Sequence, residues 1–216
     1  MPVKFHIITY GCQMNRYDSL ALRELLHEHS HVWSDKHEDA ELIIVNTCAV
    51  RKHAENRALG RLKELAGIKK RQSNIMLGVM GCVAQELGEN IVKQIPEIDF
   101  VIGTDQIMKV VDIADSKCPS DIFIDCDNDF TGLGTHTYIA PSQPTAFVTI
   151  MRGCDNYCSY CIVPYVRGRE RSRKCSDIID EIKQLVNIGV REVILLGQNV
   201  NSYKYENNNF PSLLDK

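Results

Sequence analysis

The chain has 216 residues, of which 44% are hydrophobic and 25% charged, and its formal net charge is -3. These values are typical of an ordinary globular protein with one large domain or two small ones. The slightly acidic balance excludes a general attraction to nucleic acid or to an anionic membrane, so any contact with a polyanion must be local.

The sequence carries no recognisable targeting or membrane signal. No apolar run approaches the ~20 residues needed to span a bilayer. Residues 1–8 lead directly into a strand pattern and lack the charged start, long apolar stretch and cleavage site of a secretory signal. We therefore expect a cytoplasmic protein without membrane contact. In that reducing compartment, its nine cysteines are expected to be metal ligands or redox groups rather than disulfides.

The first half of the chain alternates β-rich runs with helical periodicity. Residues 42–45 are continuously apolar, as in a strand that is buried on both faces of a sheet. The patterns predict strands over 3–9, 42–45, 75–80 and 98–102, and helices over 17–28, 51–66, 84–94 and 106–114. Repeated βα units favour an α/β fold with a doubly wound parallel sheet.

A polar, turn-rich segment separates this domain from a second βα series. We expect a first domain over 1–116, a connector over 117–145 and an incomplete second domain over 146–216. The second domain is predicted to contain a strand over 146–151, a helix over 178–188 and a strand over 190–196. A complete (β/α) barrel needs roughly 250 residues. The sequence therefore predicts a truncated protein that holds only the first βα units of a partial barrel.

Three cysteines follow predicted strands of the first domain. Cys12, Cys48 and Cys82 each stand just past the end of a strand. Ligands of open parallel sheets gather at the carboxyl ends of the strands, so these thiols are expected to converge on one ligand site. The following helix N-termini would stabilise anionic sulfur. The alternative is that they are small buried apolar residues, as free cysteine often is.

A second triplet, Cys154, Cys158 and Cys161, lies in a single loop after the predicted strand 146–151. Three thiolates within eight residues can hold three corners of an iron–sulfur cube, whose fourth iron then stays open to a substrate or cofactor. A zinc knuckle or a chance cluster of buried thiols is the alternative. The remaining cysteines, Cys118, Cys126 and Cys175, share no such placement and are interpreted as incidental.

A basic run over 166–174 follows the second triplet. In an extended segment its alternating arginines would project along one side. Their planar guanidinium groups could hold phosphates or a carboxylate there. Arg167 and Arg169 are the candidates for such contacts, and a solvated loop is the alternative.

Taken together, these stretches resemble the radical S-adenosylmethionine (SAM) methylthiotransferase family. The resemblance extends over nearly the whole chain. Within the family it is greatest to the branch that acts on dimethylallyl-modified adenosine in tRNA, chiefly through the stretches Gly-Cys-Gln-Met-Asn and Gly-Gln-Asn-Val-Asn-Ser-Tyr. The matching stretches are residues 10–15, 46–51, 81–84, 150–165, 167–170, 172–173 and 195–203.

This resemblance implies two 4Fe-4S clusters and SAM as cofactors. One cluster, held by Cys154, Cys158 and Cys161, would bind SAM and generate a 5'-deoxyadenosyl radical. An auxiliary cluster, held by Cys12, Cys48 and Cys82, would present the sulfur to be inserted, and a second SAM would supply the methyl group. The resemblance also implies that Gln198 and Asn199 contact SAM and that Arg167 and Arg169 contact SAM or a tRNA phosphate. It implies no catalytic residue beyond the cluster ligands.

The implied activity is transfer of a methylthio group to carbon 2 of a dimethylallyl-modified adenosine next to the anticodon. The implied partners are tRNA and a reducing electron donor such as flavodoxin or ferredoxin, and we expect a monomer. The alternatives are a methylthiotransferase for another tRNA adenosine or for a ribosomal protein, a non-catalytic iron–sulfur redox protein, and a structural zinc protein.

Overall fold

The computed structural model describes residues 1–50, 52–116, 121–125 and 143–216. Cys118 and Cys126 lie outside the described residues. Within the described residues, no helix is long and apolar enough to cross a membrane.

The strands are β1 Lys4–Thr9, β2 Val32–Trp33, β3 Leu42–Thr47, β4 Met76–Gly81, β5 Phe100–Ile102, β6 Asp121–Phe123, β7 Thr145–Thr149, β8 Met151–Arg152, β9 Arg171–Ser172, β10 Glu192–Leu196, β11 Lys204–Tyr205 and β12 Asn208–Asn209. The helices are α1 Gln13–Glu28, α2 Lys52–Lys69, α3 Cys82–Leu87, α4 Glu89–Gln94, α5 Met108–Ser116, α6 Val163–Arg167, α7 Cys175–Asn187 and α8 Phe210–Leu214, and short 3-10 turns occupy His37–Asp39 and Val200–Ser202.

A parallel sheet with the strand order β2-β1-β3-β4-β5-β6 forms the first unit. Every residue of β3 is buried. Leu42 and Ile44 pack into the core beneath α1 and α5, whereas Ile43 and Val45 pack into the opposite core beneath α2, α3 and α4. Helices therefore cover both faces, and the predicted doubly wound parallel sheet is confirmed.

The strand order reverses between β1 and β3. The chain leaves β1 towards β2 on one side and then crosses back to β3 on the other. The helices that follow β1 and β3 pack on opposite faces of the sheet. Such a reversal opens a crevice at the carboxyl ends of the two strands, where α/β proteins bind their ligands. Cys12 follows β1 and Cys48 follows β3, so both border this crevice.

The second unit begins with a βαβ motif. β7 pairs in parallel with β10, and α7 connects them. α7 packs on the pair through Ile178 and Leu185, which are buried with Ala146 and Val148 of β7. The antiparallel pair β8–β9 and the hairpin β11–β12 complete this unit. The architecture agrees with the predicted first βα units of a barrel.

The two units share a hydrophobic core. Leu196, Phe147 and Ile194 of the second unit pack against the core that surrounds α1 in the first unit. The guanidinium group of Arg16 on α1 lies 5.9 Å from the ring centre of Phe147. α1 is therefore packed between the two sheets, and its side chains contact both.

Two features of the first unit differ from the prediction. The strand β6 lies in the range predicted to be a connector, and it extends the first sheet by pairing with β5. Its three residues are too few for a periodic pattern to be recognised. The single helix predicted over 84–94 is also wrong, because Gly88 has a φ of 49° and divides it into α3 and α4.

Candidate functional site

The first cysteine triplet lies at the carboxyl ends of three adjacent strands. Cys12 is the N-cap of α1 directly after β1, Cys48 follows β3, and Cys82 is the first residue of α3 after β4. Cys48 and Cys82 are buried, whereas Cys12 is exposed. Since β1, β3 and β4 are neighbours in the sheet, the topology brings the three cysteines to one edge, as the sequence predicted.

Two glycines allow the backbone to approach this edge closely. Gly11 has a φ of 143°, and a Cβ there would lie 2.5 Å from the Cβ of Cys48. Gly81 has a φ of 94°, and a Cβ there would lie 2.5 Å from the carbonyl oxygen of Thr47. Both positions combine a backbone conformation that favours glycine with the absence of space for a side chain. The cysteine edge therefore depends on glycine at these two positions.

We expect Gly81→Ala to destabilise the chain by about 2–4 kcal/mol, because backbone strain at positive φ adds to a collision with a rigid carbonyl group. The matched control is Gly60→Ala in α2, where a Cβ would meet no atom within 4 Å. That exchange removes an exposed helical glycine, so it should stabilise by ~0.5–1 kcal/mol. Urea unfolding measures both values. Equal stability of the two variants would contradict the role of Gly81.

A buried network of hydrogen bonds fixes the strand ends relative to each other. The Asn15 side chain donates to Asn46 Oδ1 at 2.9 Å and to the carbonyl oxygen of Thr47 at 2.8 Å. Asn46 Nδ2 donates in return to the Asn15 carbonyl oxygen and to Ser19 Oγ. Thr47 Oγ1 donates to the carbonyl oxygen of Met80, on the next strand, at 2.6 Å. The ends of β3 and β4 and the start of α1 are thereby held in register.

The thiols of Cys12 and Cys48 are in hydrogen-bond contact. This bond lowers the pKa of Cys12 to about 5, against the opposing effect of burial, and hydrogen bonds from the backbone of Asn15 and Met14 act in the same direction. The same bond, together with burial and the charge of Cys82, raises the pKa of Cys48. Within the described part of the chain, no three His, Cys, Asp or Glu side chains converge as the ligands of one metal ion.

The second triplet lies in the loop between β8 and α6. Cys154 is buried, Cys161 is half-buried and Cys158 is exposed. The Cys154 amide donates to the carbonyl oxygen of Gly168 at 3.3 Å, and the Cys161 amide donates to the carbonyl oxygen of Cys158 at 2.9 Å. Gly153 has a φ of 78°, and a Cβ there would collide with the carbonyl group of Arg169. The loop is therefore compact and joined to the start of the basic run.

Gln198 contacts the second cysteine loop directly. Its Oε1 accepts a hydrogen bond from the amide of Gly153 at 2.6 Å, next to Cys154. Asn199 precedes a 3-10 turn, and its carbonyl oxygen accepts hydrogen bonds from the amide and the hydroxyl group of Ser202. The structure thus places Gln198 and Asn199 at the end of β10, with Gln198 beside the second triplet.

A buried carboxylate connects the two cysteine sites. Asp18 of α1 pairs with Nη2 of Arg152 and, at 3.2 Å, with Nη2 of Arg167. The side chains of all three residues are 2–4% exposed. Arg152 stands two residues before Cys154, and Arg167 ends α6, which packs against α3. Asp18 therefore joins the helix that starts after Cys12 to the segments on both sides of the second triplet.

The sequence predicted that the arginines of the basic run project along one side, and this prediction is wrong. Arg167 points into the interface with the first unit, and Arg171 pairs there with Asp105 at 2.7 Å. Arg173 pairs with Glu181 in the buried interior of the second unit. Arg169 is 79% exposed and lies 3.4 Å from Asp155. The run lacks a common face because Arg167 is in a helix, whereas Arg171 and Arg173 follow in and after β9.

Cys175, interpreted as incidental, is buried at the first position of α7, within the core of the second unit.

A cavity of about 440 Å³ opens beside Cys12 in the first unit. It is bordered by Arg16 and Arg23 of α1 and by Trp33, with the Arg23 guanidinium group 4.1 Å from the ring centre of Trp33. It gives Cys12 access to the outside of the first unit.

Sequence reasoning missed the polar residues that hold these sites together. Asn15 and Asn46 stand within the same short stretches as Cys12 and Cys48, so their proximity to the cysteines was a usable signal. Asp18 and Arg152 gave no such signal, because their pairing joins two distant segments of the chain. Thr104, whose hydroxyl group donates to the carbonyl oxygen of Val166 at 2.7 Å, is a further link between the units.

Comparisons with known proteins follow the division into two units. The sequence profile of the uncharacterized protein family UPF0004 matches residues 4–103, and that of the radical SAM superfamily matches residues 148–213. Among solved structures, the chain is similar to the radical S-adenosylmethionine methyltransferase TsrM from Kitasatospora setae. The TM-score is 0.64 at 11% identity, over 92% of this chain and 48% of that one. This likeness shows the fold alone.

Curated relatives match both units together. They include tRNA-2-methylthio-N(6)-dimethylallyladenosine synthases from Syntrophus aciditrophicus, at 43% identity, and Caldicellulosiruptor saccharolyticus, at 46% identity. Each match covers 92% of this chain, but only 44% and 43% of the respective relative. The chain therefore spans less than half the length of these relatives.

Proposed function

The chain belongs to the radical-SAM methylthiotransferase family, and from this premise we propose that it is part of a tRNA-modifying enzyme. The whole enzyme transfers a methylthio group to carbon 2 of a dimethylallyl-modified adenosine next to the anticodon. The names of the relatives, at 43% and 46% identity, support this substrate. Because the chain spans less than half of their length, the activity is assigned to the whole protein.

The residues at the first triplet fit an iron–sulfur cluster. Cluster ligands are thiolates. The lowered pKa of Cys12 favours the thiolate, whereas the hydrogen bond between the two thiols raises the pKa of Cys48. The glycines at 11 and 81 remove side chains from the edge where a bulky group would lie. Arg167 Nη1 is among the described buried polar atoms that have no hydrogen-bond partner, and the charges of Cys82 and Cys12 act on the same side chain. We assign Cys12, Cys48 and Cys82 to an auxiliary 4Fe-4S cluster.

The second triplet fits a cluster with one open iron, because its loop offers three thiols and is half exposed. We assign Cys154, Cys158 and Cys161 to this SAM-binding 4Fe-4S cluster. When bound, the two clusters and SAM supply the radical that activates the carbon–hydrogen bond, the sulfur and the methyl group.

The protein side chains position these groups. Gln198 holds the amide of Gly153 and so fixes the approach to Cys154. Asp18, through Arg152 and Arg167, fixes the second triplet relative to α1 and Cys12. Gln198 and Asn199 remain our proposed SAM contacts. Arg169, which is exposed, remains a proposed contact to SAM or to a tRNA phosphate. The sequence predicts the same role for Arg167, whose side chain is 4% exposed and pairs with Asp18.

The organisation of the whole enzyme follows the same proposal. Residues 1–116 form the auxiliary-cluster domain, 117–145 a connector that contributes β6 to its sheet, and 146–216 the beginning of the radical-SAM domain. The enzyme acts as a monomer in the cytoplasm and receives electrons from a donor such as flavodoxin or ferredoxin.

The observation that carries the proposal is the joining of two three-cysteine sites through one buried carboxylate, Asp18. The test is mass spectrometry of tRNA nucleosides from cells that lack the gene. We expect the methylthio form of dimethylallyladenosine to disappear and its precursor to accumulate, with recovery when the whole gene is restored. Loss of a different methylthio nucleoside, or of a ribosomal-protein modification, would favour another branch. An unchanged set of modifications would favour a non-catalytic redox protein.

A further inference from the structure

Arg167 combines complete burial with incomplete pairing. Its side chain is 4% exposed, and Nη2 pairs with Asp18 at 3.2 Å. Nη1 is buried and has no hydrogen-bond partner among the described residues. A buried donor without a partner costs on the order of 1–3 kcal/mol, and more for a charged group. A ligand that accepts a hydrogen bond from Nη1 would remove this cost.

The position of Arg167 restricts which ligand that can be. Arg167 ends α6, and α6 packs against α3, whose first residue is Cys82. Its partner Asp18 lies on α1, whose N-cap is Cys12. Burial alone would lower the pKa of Arg167, but the charges of Cys82, Asp18 and Cys12 raise it well above its ordinary value. The pairing with Asp18, the packing of α6 on α3 and the influence of the two cysteine charges together place the Arg167 side chain close to the first triplet.

We propose that Arg167 is a positioning residue for the auxiliary site, whose Nη1 donates a hydrogen bond to sulfur at the group held by Cys12, Cys48 and Cys82. This inference rests on the proposed function, since it takes an iron–sulfur cluster as that group. Sulfide and thiolate sulfur are acceptors with negative charge, and hydrogen bonds to them tune the cluster. Arg167 thus supplies a fixed positive charge to the auxiliary site, while Asp18 holds its orientation.

Two variants separate this role from a structural one. Arg167→Gln removes the charge, and it leaves Asp18 paired with Arg152 in the interface. Arg167→Lys keeps the charge but replaces the planar group by a point donor. The control is Arg191→Gln, which makes the same charge change at an exposed position directly before β10. Each is made in a chain whose Cys154, Cys158 and Cys161 are replaced by alanine, so that only the auxiliary cluster contributes a signal.

The first measurement is the midpoint potential of the reconstituted auxiliary cluster. A nearby positive charge stabilises the reduced cluster, which is the more negative one. Arg167→Gln should therefore shift the potential to more negative values, Arg167→Lys should shift it less, and Arg191→Gln should leave it unchanged. A potential in Arg167→Gln that equals that of the parent, at equal iron content, would overturn the inference.

The second measurement detects the nitrogen of Arg167 at the cluster directly. The chain is produced with isotopically labelled arginine, and electron–nuclear double resonance is recorded on the reduced auxiliary cluster. We expect a weak coupling to a labelled nitrogen that disappears in Arg167→Gln. Iron bound without this coupling would contradict the inference alone. Failure of the first triplet to bind iron would contradict the proposed function and, with it, this inference.

Discussion

Asp18→Asn is expected to destabilise the metal-free chain by about 3–5 kcal/mol, because it leaves two buried guanidinium groups without their carboxylate. Arg152 and Arg167 both pair with Asp18, and the three side chains are 2–4% exposed. Asparagine has the same shape, so the loss isolates the charge. The change is measured by urea unfolding, followed through the fluorescence of Trp33, the single tryptophan.

The control for this variant is Asp112→Asn on α5. Asp112 also pairs with a cation, Lys109 at 3.3 Å, but it is 69% exposed. Exposed pairs contribute ~0–1 kcal/mol, so the control should unfold almost as the parent does. A loss at Asp18 as small as that at Asp112 would show that the interface between the two units does not depend on this carboxylate.

Replacing Cys158 by alanine is expected to abolish reductive SAM cleavage and to lower the iron content from about eight to about four per chain. Cys158 is the exposed member of the second triplet and one of its three thiols. The first triplet lies on a different unit, so its cluster should remain, with its own spectrum in the reduced state. Iron analysis, electron paramagnetic resonance and the yield of 5'-deoxyadenosine measure these effects.

Cys175→Ala provides the matched control for the cysteine exchange. Cys175 is buried in the core of the second unit, apart from the second cysteine loop, and has no assigned ligand role. Its replacement, like that of Cys118 and Cys126, should leave the iron content unchanged. A clear drop would mean that the ligands are wrongly assigned. Loss of both clusters together in Cys158→Ala would contradict the independence of the two sites.

Local patterns predicted the part of the fold that positions the first triplet. The apolar run over 42–45 and the helical spacing after each strand were sufficient to place Cys12, Cys48 and Cys82 at one sheet edge. The short strand β6 escaped prediction, because three residues carry no periodicity and its stability comes from pairing with β5. Gly88 divided a predicted helix through a backbone conformation that side-chain patterns do not record.

The basic run illustrates what a sequence cannot resolve about a site. Arg167 and Arg169 look equivalent in the sequence, two residues apart within one charged stretch. In the structure, one is buried against Asp18 and the other is exposed beside Asp155. The two arginines differ because α6 ends at Arg167, so that Arg169 lies beyond the helix. Arg167 is also paired with a carboxylate about 150 positions earlier in the chain. Tertiary pairing of this kind leaves no local pattern.

Iron and acid-labile sulfide per chain, after anaerobic reconstitution and with zinc assayed in the same sample, test the central claim most directly. We expect about eight irons and eight sulfides, from two four-iron clusters at the two triplets. Zinc with negligible iron would contradict the assignment of both cysteine sites and the proposed radical chemistry.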